Sequence, residues 1–180
     1  MLAGAYNALD FDAKPETKEF GGWAAVWDLS DRSYLYRVDV DSGYERAAAV
    51  AFSPDGTRIA AGNGDGILQV WDADSGTKIG NPMVGQGPVN SVAFSRDGRL
   101  IAAGIGDGAV RVRDAATGAD VVNVAAGDAG TSIRSVAFSP SGDFVVSAGD
   151  DSTVRLWDAH RGQPAAEPAV AVPAGTMFVT

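Results

Sequence analysis

Apolar positions along this chain occur in short runs, and each run ends at a sequence typical of a tight turn. The run SVAFS stands at 91–95 and again at 135–139, and AVAFS stands at 49–53. Each leads into a turn sequence, SPDG, SRDG or SPSG. Short runs rich in Val, Ile and Phe between such turns predict a meander of antiparallel strands joined by tight hairpins.

The pattern repeats at a nearly fixed period. The phenylalanines of the three runs are Phe52, Phe94 and Phe138, at spacings of 42 and 44 residues. Each unit continues with a second apolar run, a turn that carries an aspartate, and a third run that ends in aspartate, as in QVWD, RVRD and RLWD. Self-similarity at a fixed period is the signature of a repeat architecture.

A period of about 40–45 residues with four short strands and a terminal Trp-Asp resembles the WD40 repeat. The Trp of that motif matches Trp71 and Trp157, and the resemblance covers about residues 20–170. It implies an all-β fold of β-propeller blades, each with four antiparallel strands, a to d, around a central channel. The aligned structural positions are Asp65, Trp71, Asp72, Asp107, Asp114, Ser147, Asp151, Trp157 and Asp158.

The repeat divides the 180 residues into a single segment of nearly four blades, which predicts a partial propeller. The predicted parts are a partial blade at 1–43 that begins at strand b and contains an inserted loop at 6–22, three blades at 44–86, 87–127 and 128–172, and a tail at 173–180. Three arrangements fit this prediction. The chain could be a piece of a larger propeller, two copies could close a joint ring, or Thr176–Thr180 could supply the missing strand a of a four-bladed ring.

The resemblance also implies a buried hydrogen-bond network of His, Ser or Thr, Asp and Trp in each blade. No unit carries the His, the Ser survives only as Ser147, and Arg113 occupies one Trp position. Incomplete buried networks leave polar groups unpaired. We therefore expect blades held mainly by apolar packing and turn chemistry, with stability below the family average. Arg113 is expected either in a partly buried ion pair, with Asp107 as a candidate partner, or on a solvent-facing rim.

Charge and composition narrow the classes of partner. The 14 Lys and Arg against 23 Asp and Glu give a net charge of −9, which disfavours nucleic acid and anionic membrane surfaces as partners. No apolar run approaches the roughly 18 residues of a membrane span. The first residues lack the pattern of a secretory signal. We expect a soluble cytoplasmic protein.

Candidate catalytic and metal-binding groups are sparse. The chain has no cysteine and one histidine, His160, which matches Asp74 and Ala116 in a turn that follows the third run. The carboxylate pairs lack the spacing of a calcium loop and are interpreted as solvated surface charge: Asp10 and Asp12, Asp39 and Asp41, Asp150 and Asp151. The glycine-rich strings at 62–66 and 104–108 recur once per unit before a strand, which indicates hairpin turns rather than phosphate loops. We expect no catalytic residue, metal or cofactor.

The resemblance implies a non-catalytic scaffold that binds protein or peptide partners with the face formed by the b–c and d–a loops. The candidate contact residues are Tyr6, Phe11 and Phe20 in the inserted loop, and Asn63, Gln86, Asn90, Ile105, Asp128 and Arg134 in the repeats. Aromatic anchors among polar residues suit protein interfaces. The alternatives are a structural part of a larger multidomain regulatory protein and, third, a propeller enzyme. Self-association that completes the ring is a further possibility.

Overall fold

The computed structural model describes residues 2–6, 23–27, 34–39, 47–127 and 130–165. In these residues all regular secondary structure is β, arranged as four antiparallel sheets. The first sheet contains β1 (Leu2–Tyr6), β2 (Trp23–Trp27) and β3 (Tyr34–Asp39). The second contains β4 (Ala47–Phe52), β5 (Arg58–Asn63), β6 (Ile67–Asp72) and β7 (Lys78–Val84).

The third sheet repeats the order of the second with β8 (Val89–Phe94), β9 (Leu100–Ile105), β10 (Ala109–Asp114) and β11 (Asp120–Ala125). The fourth contains β12 (Ile133–Phe138), β13 (Phe144–Gly149) and β14 (Val154–Asp158). Pro164 forms an isolated bridge with Trp157, and Ala165 N donates to Leu156 O at 2.9 Å, so these two residues lie beside β14. Strands follow one another in chain order across every sheet, which confirms the predicted meander.

The sheets pack face to face in series through the side chains that alternate on each strand. Leu68, Val70 and Met83 of the second sheet pack against Val89 and Ile101 of the third. The opposite face of the third sheet packs on the fourth through Val110, Val112, Val122, Val145 and Trp157. The innermost strands β4, β8 and β12 contact one another in that order. The core is therefore a set of apolar layers between sheets.

The turns after β4 and β8 share one hydrogen-bond arrangement. Ser53 Oγ donates to Asp55 Oδ1 at 2.6 Å, and Thr57 N donates to the same oxygen at 3.0 Å. Ser95 and Asp97 repeat this contact at 2.6 Å, and glycines with φ of 73° and 70° complete the two turns. The third turn has Ser141 in place of the aspartate, 3.1 Å from Ser139 Oγ.

These hydrogen bonds predict acid sensitivity. The bonds from Ser53 and then Thr57 lower the pKa of Asp55 to about 2, and the bond from Ser95 lowers the pKa of Asp97. Because these folded-state pKa values lie below the unfolded value near ~3.9, their stabilisation is present above that pH and lost as the pH falls through the folded-state values. Replacing both aspartates by serine, as at Ser141, should reduce the loss of unfolding free energy between about pH 5 and about pH 2. Urea denaturation at each pH measures this, and an unchanged acid dependence would contradict it.

Several predictions lie outside the described residues. The inserted loop is described only at Tyr6, whose backbone belongs to β1. The proposed strand at Thr176–Thr180 also lies outside them. Within the described residues, no helix is long and apolar enough to cross a membrane. The second sheet lies inside the predicted blade at 44–86, and the third lies inside the predicted blade at 87–127. The exact limits of these blades remain predictions.

Candidate partner-binding face

Five connections gather at one end of the stacked sheets, which we name the upper face. In the described part of the chain, they are the β5–β6, β9–β10 and β13–β14 turns at 64–66, 106–108 and 150–153, the β7–β8 connection at 85–88, and the β11–β12 connection, described at 126–127 and 130–132. Backbone hydrogen bonds join them: Gly85 N donates to Gly66 O at 2.8 Å, and Asp150 N donates to Ser132 O at 3.0 Å. The remaining turns lie at the lower end, because alternate hairpins of an antiparallel meander fall at opposite ends.

Asp107 joins its turn to the connection before it. Its Oδ1 accepts from Ala109 N at 2.9 Å, while Oδ2 accepts from Arg111 Nη2 at 3.0 Å and from Gln86 N at 3.3 Å. Arg111 Nη1 also donates to Val84 O at 2.7 Å. Arg111 thus ties β10, the glycine turn and the β7–β8 connection together. Sequence reasoning missed it, although an arginine four residues after the turn aspartate was a readable signal.

The same spacing recurs in the fourth sheet. Asp151 Oδ1 accepts from Thr153 N at 3.0 Å and Thr153 Oγ1 at 2.7 Å, and its Oδ2 accepts from Arg155 Nη1 at 2.5 Å. Burial raises the pKa of Asp151, but the hydrogen bonds from Thr153 and Arg155 outweigh it and hold the pKa below its ordinary value. The two turns therefore share an Asp–Arg pair at the same spacing of four residues.

The upper face carries an exposed bidentate ion pair between Arg134 and Asp150. Arg134 Nε lies 2.8 Å from Asp150 Oδ1, and Nη2 lies 2.6 Å from Oδ2. The side chains are 52% and 48% exposed. The hydrogen bonds raise the pKa of Arg134 and lower that of Asp150, so both stay charged at neutral pH. Asp150 was predicted only as solvated surface charge, and its pairing with Arg134 was missed.

Each innermost strand carries a bulge near the upper face, and the bulged residues differ. The pairing registers shift around Ala48, Asn90 and Arg134. Asn90 Nδ2 donates to Ile133 O on β12 of the neighbouring sheet at 2.9 Å, whereas Arg134 pairs with Asp150. Bulges re-aim side chains and are frequent beside functional sites. Equivalent positions thus present a methyl, an amide and a guanidinium group.

Two predicted contact residues are wrong. Asn63 and Ile105 are 0% exposed, because each is the last residue of its strand, β5 or β9, rather than part of the turn. Asn63 Oδ1 accepts from Ile67 N at 2.9 Å and closes the hairpin, and Ile105 belongs to the apolar layer. Of the other predicted contacts, Gln86 and Arg134 are exposed and Asn90 is partly exposed. The residues that the structure describes do not include Phe11, Phe20, Asp128 or the side chain of Tyr6.

The structural repeat residues occupy two kinds of position. Trp71 and Trp157 are buried, and Trp157 Nε1 donates to Ser147 Oγ at 2.9 Å. At the lower end, Asp72, Asp114 and Asp158 each accept hydrogen bonds from the backbone amides two and three residues further along the chain. Asp65 lies in the β5–β6 turn, at the position of Asp107 and Asp151.

The predicted partner of Arg113 is also wrong. Arg113 Nε pairs with Asp120 Oδ1 at 2.6 Å, on the neighbouring strand β11, while Asp107 pairs with Arg111. The side chain of Arg113 is only 15% exposed, which supports the ion-pair alternative over a solvent-facing rim. In the described part of the chain, Arg111 Nε is the one buried side-chain nitrogen or oxygen without a hydrogen-bond partner. The incomplete network was expected to leave buried polar groups unpaired, but few such groups occur in the described part of the chain.

The upper face offers recognition chemistry. Across the described ranges, no group of three or more His, Cys, Asp and Glu side chains could hold a metal ion. His160 is exposed in a lower-end turn, where its backbone N donates to Asp158 Oδ1 at 2.9 Å. What the upper face presents is a paired guanidinium and carboxylate, together with the exposed amide of Gln86 and the partly exposed amide of Asn90.

Comparisons with known proteins agree with this architecture. The family model described as WD domain, G-beta repeat matches residues 42–72, 78–114 and 122–158. A chain in a solved structure, "Crystal Structure of Mitotic Checkpoint Complex", superposes with a TM-score of 0.71 at 23% sequence identity. The match covers 81% of this chain and 44% of that one, so this chain spans less than half its length. No curated protein matches the sequence.

Proposed function

Since the chain belongs to the WD40-repeat family, we propose that it is a non-catalytic scaffold that binds a protein or peptide partner with its upper face. Propellers of this family generally serve as interaction scaffolds. A fold alone does not fix function, so the proposal depends on the upper face itself.

One observation carries the proposal: equivalent positions on a repeated backbone hold different chemical groups. The bulged residue is Ala48, Asn90 or Arg134, while the buried layers beneath repeat closely. Repeat proteins combine an invariant framework with variable surface positions for recognition. The Asp107–Arg111 pair supports this role because it fixes the connection that presents Gln86.

The best-placed group for a partner contact is Arg134. Its guanidinium is half exposed and held by Asp150, so its orientation is fixed before binding. Arginine is enriched at the energetic centres of protein interfaces. A pre-oriented guanidinium also loses less side-chain entropy on binding than a free one. The paired carboxylate leaves the local charge balanced, which suits a peptide with both polar and charged groups.

A matched pair of arginines tests the proposal. Arg134→Ala removes an exposed arginine paired with an aspartate on the upper face, and Arg161→Ala does the same at the lower end, where the Arg161 side chain is 77% exposed and lies 3.4 Å from Asp158. Loss of an interface anchor costs about 1–2 kcal/mol, or roughly 5–30-fold in affinity.

The measurement is quantitative capture of binding proteins from cell extract by each variant. We expect Arg134→Ala to lose specific partners that the wild type and Arg161→Ala retain. Equal retention by both variants, or a loss only with Arg161→Ala, would contradict the proposal. Circular dichroism of both variants verifies that the fold is intact.

A further inference from the structure

The outer strands of the second and third sheets differ in how they protect their free edges. Opposite Gln69, β7 bulges over Gly80–Pro82, and Gln69 Nε2 fills the bulge by donating to Ile79 O at 2.9 Å. A bulge, a proline and the charge of Lys78 are all features that prevent pairing at an exposed edge. In contrast, β11 has the sequence DVVNVA, without proline or lysine, and the register shift in its pairing with β10 lies at Val121, so the strand is regular from Val122 to Ala125. Its edge is therefore open to pairing with another strand.

The hydrogen-bond pattern identifies which backbone groups of β11 point outward. Ala126 N donates to Gly108 O at 2.8 Å, and the register pairs Val124 with Val110 and Val122 with Val112. Hydrogen-bonded pairs alternate along an antiparallel ladder. The N–H and C=O groups of Asn123 and Ala125 therefore point away from β10, and β11 is the terminal strand of its sheet in the described part of the chain.

The side chains along this edge are small or uncharged. Val121 is 38% exposed, and Asn123 and Ala125 are exposed. Val122 and Val124 face the next sheet, where a Cβ at Gly162 would lie 2.8 Å and 2.9 Å from their methyl groups. The only charge on the strand, Asp120, is paired with Arg113. No charge on this strand therefore opposes the approach of a second strand.

We propose that β11 pairs with β11 of a second copy of this chain, antiparallel and centred on Asn123. The regular part of the strand is self-complementary in that register, because Asn123 meets its own copy and Val122 faces Val124. Side chains that lie directly opposite each other on paired strands interact, and none of these pairs places like charges together. The main chains continue the sheet across the two-fold axis, so the third sheets of both copies join edge to edge.

Charge sets the conditions in which this pairing forms. Each copy carries a net charge of −9, and this repulsion opposes association at low ionic strength. Salt screens it over about 8–10 Å at physiological ionic strength. A contact limited to one strand pair is small, so the dimer should be concentration-dependent and favoured by salt.

The test compares two lysine substitutions on outer strands. Asn123→Lys places two like charges opposite each other at the proposed axis, which is destabilising. Asn81→Lys places the same charge on the bulged β7. Light scattering after size exclusion, across a wide concentration range at moderate salt, should show wild type and Asn81→Lys moving from monomer to dimer mass, and Asn123→Lys remaining monomeric. A wild type that stays monomeric throughout, or dimers of both variants, would overturn the proposal.

A disulfide experiment fixes the location of the contact. The chain has no cysteine, so a single Asn123→Cys substitution can form only an intermolecular bridge. Paired residues of an antiparallel ladder have Cα atoms about 5.5 Å apart, within the range that a disulfide spans. We expect oxidation to give a covalent dimer with Asn123→Cys and little with Asn81→Cys. Equal cross-linking of both would overturn the proposed register.

Discussion

Replacing Gly62 by alanine is expected to lower the free energy of unfolding by about 3 kcal/mol. A Cβ at Gly62, in the buried part of β5, would overlap Val89 Cγ1 and lie 2.5 Å from Val89 Cβ, on the first strand of the next sheet. Because the sheets are held together by close apolar packing, this overlap forces them apart. Gly104, whose Cβ would lie 2.7 Å from Ile133 Cγ2, repeats the arrangement one sheet further on.

The control for this prediction is Gly142→Ala, measured by the same urea titration. Gly142 has a φ of +82°, so alanine there carries the backbone strain of about 1–2 kcal/mol, but nothing lies within 4 Å of its Cβ. The packing explanation expects Gly62→Ala to cost more, although Gly62 has no positive φ. A Gly62→Ala variant as stable as the wild type would refute close sheet packing at this position.

Replacing Asp151 by alanine is expected to cost about 3 kcal/mol, because it breaks a largely buried ion pair. The side chains of Asp151 and Arg155 are 6% and 18% exposed. The substitution removes the acceptor of the Thr153 and Arg155 hydrogen bonds and leaves the guanidinium without its carboxylate. Asp151→Asn keeps an oxygen for Thr153 but not the charge, so its effect should be intermediate.

Asp143→Ala serves as the surface comparison for Asp151, since Asp143 is exposed in a lower-end turn. Its substitution should change the unfolding free energy by less than about 0.5 kcal/mol. The difference in unfolding free energy between Asp151→Ala and the wild type should also shrink as the pH falls toward the lowered pKa of Asp151. Protonation of Asp151 in the wild type removes the same negative charge that the substitution removes. A constant difference down to acid pH would mean that the ion pair contributes nothing.

The repeat pattern determines much of the fold because hairpin chemistry is local. Asp55, Gly56 and their equivalents specify turns that need only nearby residues, so the meander could be predicted from sequence. Trp157 and Ser147 were recognisable for a different reason. Their fixed distance from the turn places them on adjacent strands, where the indole reaches the hydroxyl.

The errors concern positions where burial depends on a neighbouring sheet. Asn63 and Ile105 differ from each other as surface residues do, yet both are fully buried at the ends of their strands. The partner of Arg113 was misassigned because Asp120 follows a turn, and the c–d pairing register that brings it close contains a shift. Sequence spacing does not reveal such a shift. It also cannot identify the variable groups that a partner contacts.

The central claim is that the upper face, and not the lower end, binds a partner. A photo-cross-linker attached to a single cysteine tests it, because the chain has none of its own. Gln86→Cys places the probe on the upper face, and His160→Cys places it in an exposed lower-end turn. Irradiation in cell extract is expected to give discrete protein adducts with the probe at position 86, and weak or no adducts with the probe at position 160. Arg134→Ala should abolish the adducts from position 86. The same adducts from both positions, or adducts only from position 160, would contradict it.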